Sequence, residues 1–388
     1  MPRLDRVQVR MPSAIVPSKN TVKTSSAKTS SAKSSRSKSS RSKSSRSKTS
    51  RGNSPAWAKL KDEQLLDLRI CDLDLRFENT PLVDLRDQLY GELASRGLTI
   101  KPQCWLSDDW FSPDGIPGIA IPFYMAHPRL MRLERKQMLE VEGGTKAWCM
   151  RILRHEAGHA LDTAYRLHRR KSYKTTFGNY SDPYPEYYKP KPRSKNFVLH
   201  LEPWYAQSHP AEDFAETFAV WLKPRSRWRK KYEGWAALKK IHLVDDLMTD
   251  IAGKSAKVKS RAKVDPAHRI KKTLRQHYAE RQAHYAIDSP SVLDDDLRKM
   301  FPQTPKSRRT KTAATFLQKN RAEFSRTVAQ WTGEYRYNIN QVLREMIDRC
   351  RIMNLRVAGN ETELRQNLLI MLTVHTMNYL HGVHRVAL

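Results

Sequence analysis

Two histidines and a glutamate stand in one short run, His155-Glu156-Ala157-Gly158-His159, the pattern H-E-x-x-H. On a helix, His155 and His159 fall one turn apart on the same face. Two imidazoles so spaced can share one Zn²⁺ ion. Glu156 lies about 100° round the helix from His155, where it would meet an activated water rather than the metal, as a general base does. Around these residues Ile152, Leu153, Ala157, Ala160 and Leu161 make the helix largely apolar. A buried histidine pair with no ligand would need other polar partners. A second run, Trp204 to Leu222, offers further acids. Pro210 suits the first turn of a helix, and on that helix Glu212 and Glu216 share one face, while Phe214, Phe218, Trp221 and Leu222 take the other. Zinc held by two histidines lacks a third protein ligand, which Glu212 can supply. Glu216 can then accept a hydrogen bond from the far nitrogen of a ligand histidine and fix its tautomer. The plainer reading of the two acids is a solvated acidic face.

Together, His155-Glu156-Ala157-Gly158-His159-Ala160-Leu161-Asp162 and His209-Pro210-Ala211-Glu212-Asp213-Phe214-Ala215-Glu216 resemble zinc-binding metallopeptidases of the gluzincin type. The layout is also similar to the catalytic domain of anthrax lethal factor. The resemblance covers about residues 98–224. It implies a third ligand glutamate on a second helix, Glu212, and an orienting acid four residues on, Glu216. It also implies a tyrosine seven residues before the ligand glutamate that steadies the oxyanion, the position of Tyr205. The metzincin extension is absent: Asp162 stands where that pattern has glycine, and Tyr165 where it has a third histidine. Asp162 shares the face of His155 and His159 and reads as a structural or second-shell acid. His168, His200 and His209 read as surface or loop residues rather than ligands.

The elements that must position these residues follow from the rest of the chain. Residues 57–97 carry helical spacing, with Leu82, Leu85, Leu89 and Leu93 on one face and Gly97 as a stop. Leu98–Phe111 and Gly118–Met125 read as strands. Pro122 confines the second to an edge or a strand end, where an extended substrate could add by backbone hydrogen bonds. A helix around Pro128–Leu139 precedes the motif helix, which is expected to run to about Arg169. Residues 170–203 are mostly irregular, with a Pro/Tyr loop at 184–192 and a short strand at Phe197–Leu201. A loop of this length inside a domain tends to be functional or mobile. Beyond Lys223 the pattern is helical and basic: a helix at Tyr232–Ala252, a Lys-rich linker at Gly253–Asp265 and a helix at Ala267–Tyr285. One long helix or two follow from Phe316 to Met346, and a last helix begins at Asn360.

The expected fold class is α+β. A disordered basic tail (1–55) precedes a zincin-like metallopeptidase domain with a small sheet (56–252). A basic linker and helix (253–312) and a small helical unit (313–388) follow. The tail repeats Ser-Ser-Arg-Ser-Lys three times from Ser34, Ser39 and Ser44, and has too little apolar surface to offset the entropy of ordering. The chain's net charge is +31, of which +13 lies in residues 1–55, with fourteen Lys and Arg against one Asp. Such a field favours polyanions, nucleic acid among them. The tail reads as a basic arm or, less well matched because Met1–Asn20 has only a weak amphipathic face, as a transit peptide. No apolar run is long enough to cross a membrane, and the N-terminus lacks an apolar signal core. The four cysteines are scattered, as free thiols in a reducing compartment would be. These features predict a cytoplasmic, nucleoid-associated setting.

The functional expectation is a metallopeptidase with one zinc per chain, held by His155, His159 and Glu212. Glu156 would act as general base toward a zinc-activated water, and Tyr205 would stabilise the oxyanion, on protein or peptide substrates. The alternatives are a basic nucleic-acid-associated protein with a structural or inactive zinc site, and a hydrolase of non-peptide amides.

Overall fold

The computed structural model describes residues 55–381, apart from 186–190, 192–193, 202–203, 285–292, 303–310 and 335. The basic tail and its repeats therefore lie outside the described residues, as does most of the Pro/Tyr loop. The order of elements is α1 (Asp62–Leu66), α2 (Leu82–Ala94), β1 (Gln103–Ser107), β2 (Gly118–Pro122), α3 (Pro128–Met138) and α4 (Lys146–Tyr165). Then come α5 (Lys171–Phe177), α6 (Pro210–Leu222), α7 (Trp228–Lys231), α8 (Ala237–Ile251) and α9 (Leu274–His284). Last are α10 (Leu293–Met300), α11 (Ala313–Thr332), α12 (Arg336–Ile352) and α13 (Glu361–His381). The described chain is mostly helical, with one small parallel sheet.

The strands are shorter than the sequence pattern suggests. β1 and β2 pair in parallel, from Gln103 opposite Gly118 to Ser107 opposite Pro122. Pro122 has no N–H to continue the ladder, and the chain turns into a 3₁₀ turn at Phe123–Ala126. β2 is buried along its whole length, and an antiparallel bridge from Phe111 meets it at Ala120. That bridge occupies backbone groups which an added peptide strand would need. Phe197–Leu201 forms bends and irregular chain instead of a strand, and the Leu201 N–H donates to Glu216 Oε2 at 2.9 Å.

Helix ends are also corrected. α4 stops at Tyr165, because Arg166 adopts a left-handed conformation with φ of 54°. The helix expected from Tyr232 begins at Ala237, after Gly234 at φ of +73°. The helix expected from Ala267 begins at Leu274, since the carbonyls of Ile270 and Lys272 accept backbone hydrogen bonds from Cys71 and Ile70. Gly333 at φ of 77° divides the long C-terminal pattern into α11 and α12. The Lys-rich linker is docked rather than loose: Val264 and Asp265 carbonyls accept from Trp105 Nε1 and Ser107 Oγ, and Lys257 and Val258 N–H groups donate to Ala164 O.

Two hydrophobic cores result. The first runs from Trp57 to Tyr278 and includes Tyr337, so α9 belongs to it through Leu274 and Tyr278. The second is built from α10 to α13, with Leu293, Phe316, Phe324, Leu343 and Leu368 among its members. The described residues of 253–312 are thus shared between the cores. Arg336 pairs with Glu140 at 2.6 Å across them.

Within the first core, α4 and α6 pack face to face. Thr145 caps α4 by accepting the Trp148 N–H. Gly158 sits where the two helices come closest. A Cβ added there would fall 2.9 Å from Ala215 Cα and 3.2 Å from Phe218 Cδ1. The close contact is with backbone, so relief requires moving a helix. Gly158→Ala is expected to lower stability by about 1–3 kcal/mol despite alanine's better helix propensity, as overpacking outweighs a gain of about 1 kcal/mol. Urea denaturation tests this, and an unchanged or raised midpoint would refute it.

Candidate metal centre

Helix α4 brings His155 and His159 to the face turned toward α6, and α6 brings Glu212 and Glu216 to meet them. His155 Nε2 lies 3.0 Å from Glu212 Oε2 and 3.1 Å from His159 Nε2, which is itself 3.3 Å from Glu212 Oε2. The ligating atoms of His155, His159 and Glu212 all lie within 4.8 Å of one another, the single such group among the described residues. On its other side, His155 Nδ1 lies 2.9 Å from Glu216 Oε1, whose carboxylate also takes the Leu201 N–H on Oε2. His155 and Glu216 are fully buried, whereas the His159 side chain is 15 % exposed, so solvent reaches the cluster from the His159 side.

This geometry fits a cation. With its Nδ1 proton directed at Glu216, a neutral His155 turns a lone pair toward the Nε2 of His159 and the Oε2 of Glu212. Electron-rich atoms packed this closely require positive charge between them. A proton can supply it: burial alone would lower the pKa of His155, but its hydrogen bonds to the Glu212 and Glu216 carboxylates outweigh this and push it up to about 10. For Glu212 burial works in the opposite sense, yet His159 and His155 hold its carboxyl well below the usual carboxylate range. Two imidazoles and one carboxylate are also the donor set of hydrolytic zinc sites that keep an open position.

Glu156 is not one of the three clustered residues. Its carboxyl is buried, and Oε2 has no hydrogen-bond partner among the described residues. Burial pushes its pKa up to about 7, with His155 and His159 pulling against that rise. Tyr205 occupies a 3₁₀ turn leading into α6, with its ring centroid 5.8 Å from that of His155.

Asp162 is not gathered into the cluster. Its Oδ1 accepts from the backbone N–H of His168 at 2.7 Å and from His168 Nδ1 at 2.9 Å, which fastens the turn after α4. The other histidines have local roles. The His200 ring contacts Arg151 O at 3.0 Å through Nε2. His209 caps α6, accepting the Ala211 N–H on Nδ1 at 3.1 Å, and its Nε2 donates to Asp182 O at 2.9 Å.

One residue at the centre escaped the sequence reading. The Tyr184 hydroxyl donates to Glu212 Oε1 at 2.8 Å, and its ring stacks on His209 at 3.8 Å. The only signal available was its place in a long tyrosine-rich loop.

A family model described as "putative zinc-binding metallo-peptidase" matches residues 149–346, just over half of the 388-residue chain. The chain belongs to this family. The match begins inside α4, takes in both helices of the cluster and extends through most of α12. Membership brings a zinc-binding peptidase description to a chain whose described residues include a cluster able to hold a metal ion. No curated protein and no solved structure matches the chain at significant similarity. Among the described residues, no helix is long and apolar enough to cross a membrane.

Proposed function

We propose that this member of the zinc-binding metallopeptidase family is an active peptide hydrolase with a zincin-like active site. The observation that carries the reading is the convergence of His155, His159 and Glu212 beside a buried Glu156 whose Oε2 lacks a partner. His155, His159 and Glu212 would hold the ion. Zinc bound there supplies a Lewis acid, polarising the scissile carbonyl and making water a better nucleophile near neutral pH.

The chain's own residues account for the remaining chemistry. Glu156 takes a proton from the attacking water and later delivers it to the leaving amine. Glu216 keeps the His155 proton on Nδ1, so that the Nε2 lone pair faces the cluster. Tyr205 is the candidate donor to the developing oxyanion, being next to His155 on the turn that opens α6. The alternative of a basic nucleic-acid-associated protein rests on charge alone, much of it in residues outside the described structure.

Elemental mass spectrometry of the dialysed full chain tests the ligand set. About one zinc per wild-type chain is expected, lost or sharply reduced in Glu212→Ala. One zinc in both would move the third ligand elsewhere. No zinc in the wild type would refute the metallopeptidase reading of this site.

A further inference from the structure

Glu212 divides its two oxygens between two neighbours. Oε2 lies with the imidazoles, 3.0 Å from His155 Nε2 and 3.3 Å from His159 Nε2. Oε1 is held on the other side by the Tyr184 hydroxyl at 2.8 Å. We propose that Tyr184 is a positioning residue for the metal centre, holding Oε1 so that Glu212 presents Oε2 alone and tightening the site's hold on zinc. The inference rests on the proposed ligand set.

The two oxygens of an ionised carboxylate are chemically equivalent, and rotation about the last side-chain bond exchanges them. Something must choose between them if one is to face the imidazoles. Here the choice is made from outside the helix pair. The Tyr184 ring is stacked on His209 at 3.8 Å with an interplanar angle of 18°. His209 is itself fixed at both nitrogens, to the Ala211 N–H within α6 and to the Asp182 carbonyl two residues before Tyr184. The hydroxyl is thus referred to the same helix that carries Glu212, through a ring stack and a helix cap. His155 has an equivalent support in Glu216 at 2.9 Å. Two of the three proposed ligands therefore have a hydrogen-bonded partner behind them. Removing such a partner usually weakens metal binding by about 10–100-fold.

The test uses the full chain with Tyr184→Phe, Tyr184→Leu and Glu212→Ala. Zinc affinity is measured by competition with a chromophoric chelator, and coordination by the visible spectrum of the cobalt-substituted protein. Tyr184→Phe keeps the stack and removes only the hydroxyl. It should weaken zinc by about 10–100-fold and alter the cobalt spectrum, with far-ultraviolet circular dichroism unchanged. Tyr184→Leu, which removes the stack as well, should be at least as weak. Wild-type affinity and an unchanged cobalt spectrum in Tyr184→Phe, alongside metal loss in Glu212→Ala, would overturn the role of Tyr184 and leave the site standing. Wild-type affinity in Glu212→Ala would overturn the ligand set, and the role of Tyr184 with it.

Discussion

Replacing Glu156 by Gln is expected to lower peptide hydrolysis by about 10²–10⁴-fold, the usual contribution of a positioned general base, while zinc content stays at the wild-type level. The two readouts separate because the glutamate belongs to the motif but not to the ligand cluster. Glutamine has nearly the same shape and can still occupy the buried position, yet its amide cannot accept the proton of an attacking water. The orphaned Oε2 is the atom at issue, since no described residue competes for it. Single-turnover assays on a peptide library, paired with metal analysis of the same samples, give the answer. Wild-type turnover in Glu156→Gln would eliminate this residue as the base. Metal loss in the same variant would instead make it part of the ligand set.

The largest expected effect on stability lies two residues earlier. Arg154 forms a bidentate pair with Glu92, Nε to Oε2 at 2.7 Å and Nη2 to Oε1 at 2.8 Å, and both residues are buried. The pair ties α2 to the helix that carries the histidines. Glu92→Leu leaves the Arg154 guanidinium buried without its carboxylate, and should cost about 3–5 kcal/mol. In a unit of this size that is a fall in Tm of roughly 6–20 °C. The double variant Glu92→Leu/Arg154→Leu should recover most of the loss, because an apolar pair of similar volume often matches or exceeds a buried ion pair. Thermal and urea unfolding of the full cycle measure this. A single variant within about 0.5 kcal/mol of wild type, as for an ordinary surface change, would show that the pair contributes little.

These two residues also mark how far the sequence could be read. The spacing of His155 and His159 dictates a shared helical face, and that of Glu212 and Glu216 another, because the helical repeat alone fixes which side chains stack. What spacing cannot express is which distant faces meet. Glu92 and Arg154 are 62 positions apart, and nothing in either neighbourhood singles out the other. Tyr184 lay in a loop without periodicity, so its approach to Glu212 depends on a stack with His209 that no local pattern encodes. The overlong strand at Leu98–Phe111 has a similar origin. An apolar run signals burial, but only residues in a continuous backbone ladder become strand; β2 pairs in register with Gln103–Ser107 and meets Phe111 through a single bridge. The small sheet and the predominance of helix agree with the α+β expectation.

The separation of the ligands along the chain has a consequence for how the protein is made. His159 and Glu212 are 53 positions apart. At ribosomal rates of about 5–20 residues per second, the carboxylate follows the imidazoles out of the exit tunnel after roughly 3–10 s. On the proposed ligand set, an ion met in that interval finds only two nitrogen donors and is held loosely. On that ligand set, the third donor reaches the histidines only once the α6 segment has been synthesised and has docked against Gly158, so a complete site would form late in the making of the chain.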